Sequence, residues 1–202
     1  MSIESLESEL TLFAGPFLYR TRVEEHQKIK ECLWEWIQKD KQSHHYDHYN
    51  LSFPWKDKGT NDPLPTFMNH LEKLDLFSYI VFDPVSKCVD ELPFDMPDLH
   101  DIHLDDIWYT CYNIGDTHHP HVHPGSTFSG CYLFHLEEDN NTVFFGNGTS
   151  NRDYQDFFHQ TNYAEEGDIL IFPSEMYHYT NPALKNRITI SFNVHCDFCG
   201  NL

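Results

Sequence analysis

Two histidines one residue apart, His121 and His123, lie in the run Gly115-Asp116-Thr117-His118-His119-Pro120-His121-Val122-His123-Pro124-Gly125-Ser126. In an extended strand, residues i and i+2 point to one face, so the two imidazoles stand side by side. Neutral imidazole is the commonest protein ligand for transition metals, and this spacing is how one strand offers two of them to one ion. A third ligand has to come from elsewhere in the chain. The stretch from Glu166-Gly167-Asp168 through Ile169–Phe172, Pro173 and on to His178 reads as a turn, a buried strand, a proline stop and a histidine at the mouth of the next loop. His178 is therefore the candidate third ligand. The plainer reading of a lone His-x-His is a pair of hydrogen-bonded, half-buried histidines.

Nine residues beyond His178 comes Arg187-Ile188-Thr189-Ile190-Ser191-Phe192-Asn193. Its alternation puts Arg187, Thr189, Ser191 and Asn193 on one face of a strand and Ile188, Ile190 and Phe192 on the other. If the apolar face packs against helices, the polar face lines a cavity. An arginine there is costly unless it meets an anion, and guanidinium pairs with a carboxylate through two parallel hydrogen bonds. That anion is either a bound carboxylate or one of the chain's own acids.

These residues need a framework. From about residue 102, short segments rich in Trp, Tyr, Phe, Ile and Thr alternate with Gly, Asn, Asp and Pro. That texture predicts strands at Ile107–Ile114, His119–His123, Phe128–Leu136, Thr142–Phe145, Asp168–Phe172 and Arg187–His195. Upstream, Ile29, Cys32, Leu33, Trp36 and Ile37 fall at helical spacing and predict an amphipathic helix over about Val23–Lys39. Phe67–Leu92 reads as helix again, interrupted at Asp83-Pro84 with Asp83 as N-cap. The fold class is α+β: supporting helices over residues 1–100, then a β-sandwich or jelly roll over 101–202, in one domain.

Composition narrows the function. The chain has 202 residues, 13 basic against 32 acidic, and a formal charge of −19. Such a surface repels phosphate backbones and anionic lipid, which argues against a nucleic-acid or membrane partner and mildly favours a cationic peptide or small amine. With no long apolar run and no leader-like N-terminus, the expected location is the cytoplasm. The six cysteines suit a reducing compartment; Cys196 and Cys199 form a single CxxC, and His44–His48 a second histidine cluster read as solvated loop.

The motifs together resemble those of the Fe(II)- and 2-oxoglutarate-dependent oxygenases, especially a bacterial and phage branch with a prolyl-hydroxylase-like layout. The resemblance covers Trp108–Asn193 and rests on His121-Val122-His123-Pro124-Gly125-Ser126, on Ser129-Gly130-Cys131-Tyr132-Leu133, and on Gly167 through Asn193. It implies a double-stranded β-helix, the jelly-roll or cupin-like barrel. It also implies iron at His121 and His178, Arg187 on the distal carboxylate of 2-oxoglutarate, and Tyr132 and Tyr112 near the co-substrate with Thr189 and Ser191 as secondary contacts. The implied activity is hydroxylation of a small-molecule or peptide substrate, consuming O2 and releasing succinate and CO2.

One departure stands out. The usual second ligand of that superfamily is an aspartate, and here the position is His123. Either His123 ligates, and three neutral ligands leave the ion one positive charge higher than two histidines and a carboxylate would, or the iron keeps two protein ligands and a water. Cupins are the alternative: Gly115 stands before the His-x-His, and Gly167 precedes Pro173 and His178, as in their two motifs. A cupin-type dioxygenase or isomerase, or a non-catalytic jelly-roll protein, stays open on the sequence. The loops at 44–65 and 146–152 are the expected substrate-facing lids.

Overall fold

The computed structural model describes residues 9–12, 17–43, 64–93, 98–137, 144–145, 159–160 and 164–198. The predicted lids, the His44–His48 cluster and Cys199 lie outside them.

Helix α1 (His26–Ser43) turns one apolar stripe inward: Ile29, Leu33 and Ile37 recur every four residues and are buried, while Glu31 and Glu35 face water. Helix α2 (Leu64–Lys73) ends before Asp75, which takes a left-handed φ of 54°. A single π-turn (Ser78–Phe82) then runs directly into α3 (Asp83–Glu91). The helical break therefore falls at residues 74–76, not at Asp83-Pro84. Asp83 is the first residue of α3 rather than its cap, because the π-turn supplies the preceding carbonyls and leaves Asp83 nothing to cap.

Among the described residues, ten strands form two antiparallel sheets. The major sheet has the order β1 (Glu9–Leu12), β2 (Phe17–Arg22), β8 (Asp168–Pro173), β5 (Phe128–Leu136), β10 (Arg187–Phe198), β3 (Leu99–Tyr112). The minor sheet has the order β4 (His118–His121), β9 (His178–Thr180), β6 (Phe144–Phe145), β7 (His159–Gln160). The strands predicted at 128–136 and 168–172 match closely. β3 and β10 are longer than their patterns suggested, and β4 stops at His121, so His123 lies just past its end.

Sheet alternation divides the core. Ile188, Ile190 and Phe192 of β10, Ile169 and Ile171 of β8, and Tyr132 and Phe134 of β5 pack toward α1–α3 in one large cluster. Leu133, Leu170, Phe172 and Met176 form a smaller cluster on the opposite face. Burying these side chains contributes roughly 1.5–3 kcal/mol each. The apolar face of β10 thus packs on the helices as its alternation predicted, which turns Arg187, Thr189 and Ser191 the other way.

One close approach needs glycine. Gly130 is the register partner of Phe192, whose ring covers it, and a Cβ at residue 130 would lie 2.1 Å from Phe192 Cζ. No helix among the described residues is long and apolar enough to cross a membrane.

Candidate metal centre

The cavity opens between the two sheets. It is lined by Trp108, Thr110 and Tyr112 of β3, by His118, His121 and His123, by Ser129 and Cys131 of β5, by His178, and by Arg187, Thr189 and Ser191 of β10. Among the described residues no carboxylate lines it.

His121 and His178 are direct register partners across β4 and β9. His123 arrives from the turn after β4, where its backbone N–H donates to the Ser174 carbonyl at 2.8 Å. Ser174 is itself fixed through Ser129, whose hydroxyl lies 2.9 Å from that of Ser174 and donates to Asn193 Oδ1 at 2.7 Å. The ligand atoms of His121, His123 and His178 all lie within 4.8 Å of one another.

Hydrogen bonds set the tautomers. His178 Nδ1 lies 3.0 Å from the Met176 carbonyl and His121 Nδ1 lies 2.7 Å from the His119 carbonyl. A carbonyl only accepts, so each Nδ1 carries the proton and each Nε2 keeps its lone pair for a cation. His123 Nε2 stands 3.2 Å from His178 Nε2. Two nitrogens bound cis to one ion at about 2.1 Å each would stand about 3 Å apart.

Burial keeps these rings neutral. His178 is held well below the ordinary imidazole range by desolvation and then by its neighbours His121 and His123. Burial, then His121, brings His123 down to about 4. His121 is lowered by burial too, partly opposed by its bond to His119. Neutral imidazoles with free lone pairs are the form a metal requires, so this donor set fits a first-row divalent ion.

Arg187 sits at the other end of the cavity and is 1% exposed. Its guanidinium carbon lies 4.0 Å from the centroid of the Tyr112 ring, a cation–π contact in a dry setting. Burial lowers its affinity for the proton, and Tyr112 is the first influence in the opposite direction. The predicted Tyr112, Thr189 and Ser191 line the same cavity as Arg187.

Tyr132 is not brought there. Its side chain lies on the helix-facing side of β5, with its hydroxyl 2.5 Å from His26 Nδ1. The cavity face of β5 carries Ser129 and Cys131 instead. Because β5 is buried on both faces, its sequence has no polar–apolar alternation to distinguish them. His26 belongs to a separate network on that side. Its Nε2 is 3.3 Å from Glu166 Oε1, which also receives Lys30 Nζ at 2.5 Å, while Glu166 Oε2 accepts the Leu136 N–H at 2.9 Å.

The sequence does not single out His118 among its neighbours as a site residue. The register between β4 and β9 is irregular between His118 and His121, and Pro120 gives no N–H to the ladder, so i and i+3 become ring neighbours here. The dense histidine run was the only signal available.

Residues 106–193 match the family described as "Putative 2OG-Fe(II) oxygenase", almost the span over which the motifs showed their resemblance. Among solved structures, a prolyl hydroxylase from Trichoplax adhaerens, in complex with a hypoxia inducible factor oxygen degradation domain peptide, aligns with a TM-score of 0.57. The two are 12% identical, and the alignment covers 88% of this chain and 83% of that one. HygX from Streptomyces hygroscopicus, with nickel and 2-oxoglutarate bound, gives a TM-score of 0.57 at 11% identity over 88% and 82%. At such identities the likeness is one of fold. No curated protein matches the chain in sequence.

Proposed function

We propose, from the match of residues 106–193 to the family described as "Putative 2OG-Fe(II) oxygenase", that this chain is an Fe(II)- and 2-oxoglutarate-dependent dioxygenase in which His121, His123 and His178 hold the iron and Arg187 holds the distal carboxylate of 2-oxoglutarate. The observation that carries this reading is the convergence, in one cavity, of three imidazoles within 4.8 Å and a buried arginine. The two sheets are read as the halves of a double-stranded β-helix, a jelly roll over 101–202 with residues 1–100 as support, in one domain.

Bound there, iron would supply oxygen activation and, with 2-oxoglutarate and O2, the oxidising power for hydroxylation with release of succinate and CO2. The chain's own part is placement. Carbonyl-fixed tautomers of His121 and His178 present Nε2 inward. Arg187, flattened on Tyr112, offers its fork to a carboxylate, and Thr189 and Ser191 supply hydroxyls beside it. With three neutral ligands and two charges on 2-oxoglutarate, the loaded centre with Arg187 keeps one net positive charge. The substrate is read as a small molecule or a peptide. The compartment is read as cytoplasmic from the sequence alone.

Anaerobic reconstitution with Fe(II), followed by 2-oxoglutarate, tests the reading. A weak visible charge-transfer band that disappears in Arg187→Ala is expected. Stoichiometric iron with no band would favour the cupin-type alternative, and failure to bind iron would overturn the assignment.

A further inference from the structure

The cavity holds a fourth imidazole that touches both ends of the site. The ring of His118 stacks on that of His121, with centroids 4.2 Å apart and planes 17° from parallel. At its edge, Nδ1 lies 3.4 Å from the hydroxyl of Tyr112, the residue whose ring carries the Arg187 guanidinium at 4.0 Å. The backbone is clamped as well. His118 N–H donates to Thr180 Oγ1 at 2.8 Å, and the neighbouring Thr117 hydroxyl donates to the Thr180 carbonyl at 2.5 Å. This ties His118 to β9 two residues from His178.

We propose that His118 is a positioning residue that fixes the separation between the His121 imidazole and Arg187, the two groups that 2-oxoglutarate has to span. The proposal rests on the reading of His121 as a ligand and Arg187 as the carboxylate grip. A molecule held at both ends tolerates little error in the distance between its anchors, since misplacement by about 1 Å forfeits much of the advantage of prior alignment. His121 and Tyr112 lie on strands of different sheets, so neither sheet alone sets that distance. Tyr112 has one tie to β9 through the Thr180 side chain, and His118 adds the link that meets both the Tyr112 hydroxyl and the His121 ring. Its flat face backs the His121 ring, and its Nδ1 holds the Tyr112 hydroxyl and through it the platform under Arg187.

The two features separate by substitution. His118→Phe keeps a ring against His121 and loses the nitrogen, whereas His118→Asn keeps a polar group close to the Nδ1 position and loses the ring. The full-length protein is loaded with Mn(II), which does not turn the co-substrate over, and titrated calorimetrically with metal and then with 2-oxoglutarate, alongside thermal melting. His118→Phe is expected to bind Mn(II) within about twofold of wild type and 2-oxoglutarate about tenfold more weakly, the size of one lost hydrogen bond in a dry site. His118→Asn is expected to show the opposite pattern, with 2-oxoglutarate within about threefold and Mn(II) about fivefold weaker. A double dissociation of this kind is not produced by a general loss of folding. Both constants within twofold of wild type in both variants would overturn the proposal, as would a parallel weakening of both that tracks a lowered melting temperature. Wild-type protein that takes up Mn(II) but ignores 2-oxoglutarate, or takes up no metal, would overturn the reading of the site and this proposal with it.

Discussion

His123 Nε2 and His178 Nε2 face each other at 3.2 Å, while the Met176 carbonyl keeps the His178 proton on the far nitrogen. A lone pair facing a nitrogen at that distance needs a proton or a cation between them. His178→Ala and His121→Ala are therefore expected to lower metal affinity by roughly 100-fold or more, read as metal per protein after gel filtration. His123→Asp should keep stoichiometric metal, because a carboxylate also ligates from that position. Full occupancy in the alanine variant of either His121 or His178 would remove that residue from the ligand set.

On the proposed reading Arg187 is the anion-binding end. Arg187→Ala should raise the apparent KM for 2-oxoglutarate, with a transition-state cost on the order of 2–4 kcal/mol for a desolvated charge pair. Steady-state kinetics with varied co-substrate measure it. An unchanged co-substrate dependence would place the carboxylate elsewhere.

Tyr132 separates the two sides of β5. Its hydroxyl meets His26 rather than the cavity, so Tyr132→Phe should leave 2-oxoglutarate affinity unchanged. It should destabilise the fold by about 1–2 kcal/mol by leaving His26 Nδ1 short of its partner. Urea melts and a binding titration on one preparation distinguish this from a co-substrate contact, which would show the reverse.

Glu166 predicts an acid limb in stability. Partial burial opposes its charge, but hydrogen bonds from Lys30 and the Leu136 N–H outweigh that and lower its pKa to about 2 from 4.5. With the folded pKa below the unfolded one, the stabilisation is fully present above about pH 5 and is lost as pH falls toward 2. Glu166 is 28% exposed, so the shift is discounted to about 1–2 kcal/mol for solvent screening. Glu166→Gln should lie below wild type by that amount at pH 7 and converge with it near pH 2–3 in denaturant melts. A constant gap across that range would assign the loss to packing instead of charge.

Gly130 lies under the Phe192 ring with no room for a methyl group. Gly130→Ala should cost about 1–3 kcal/mol as the ring is forced aside. Since both residues border the cavity, it should also weaken co-substrate binding. A melt unchanged from wild type would mean that Phe192 has room to move.

Much of this arrangement was legible in the residues. Arg187 and Thr189 alternate with Ile188 and Ile190 because β10 has one face on the helices and one on a polar cavity, so period-two reading worked there. His178 was expected beside the His-x-His pair from a strand, a proline stop and a loop, although it opens the strand β9 and pairs there with His121. Tyr132 was misplaced because β5 has apolar neighbours on both sides, and periodicity carries no information in such a strand. His118 escaped because the irregular register around Pro120 makes it a neighbour of His121 at i+3, a spacing strand rules do not anticipate. The helix break near Asp75 was equally hidden, since a left-handed aspartate leaves little trace in sequence.

The halves of the site belong to sheets of very different build. Arg187 begins a twelve-residue strand flanked by β3 and β5, whereas His121 and His178 sit on strands of four and three residues. Strands that short do not persist alone. They depend on loop bonds such as Gly115 N–H to the Ala183 carbonyl at 2.7 Å and His123 N–H to Ser174. The arginine end is therefore built into the larger sheet, and the histidine end rests on short strands held by loop contacts. A ligand gripping both ends ties the weaker unit to the stronger, so filling the site and closing the fold around it become one equilibrium.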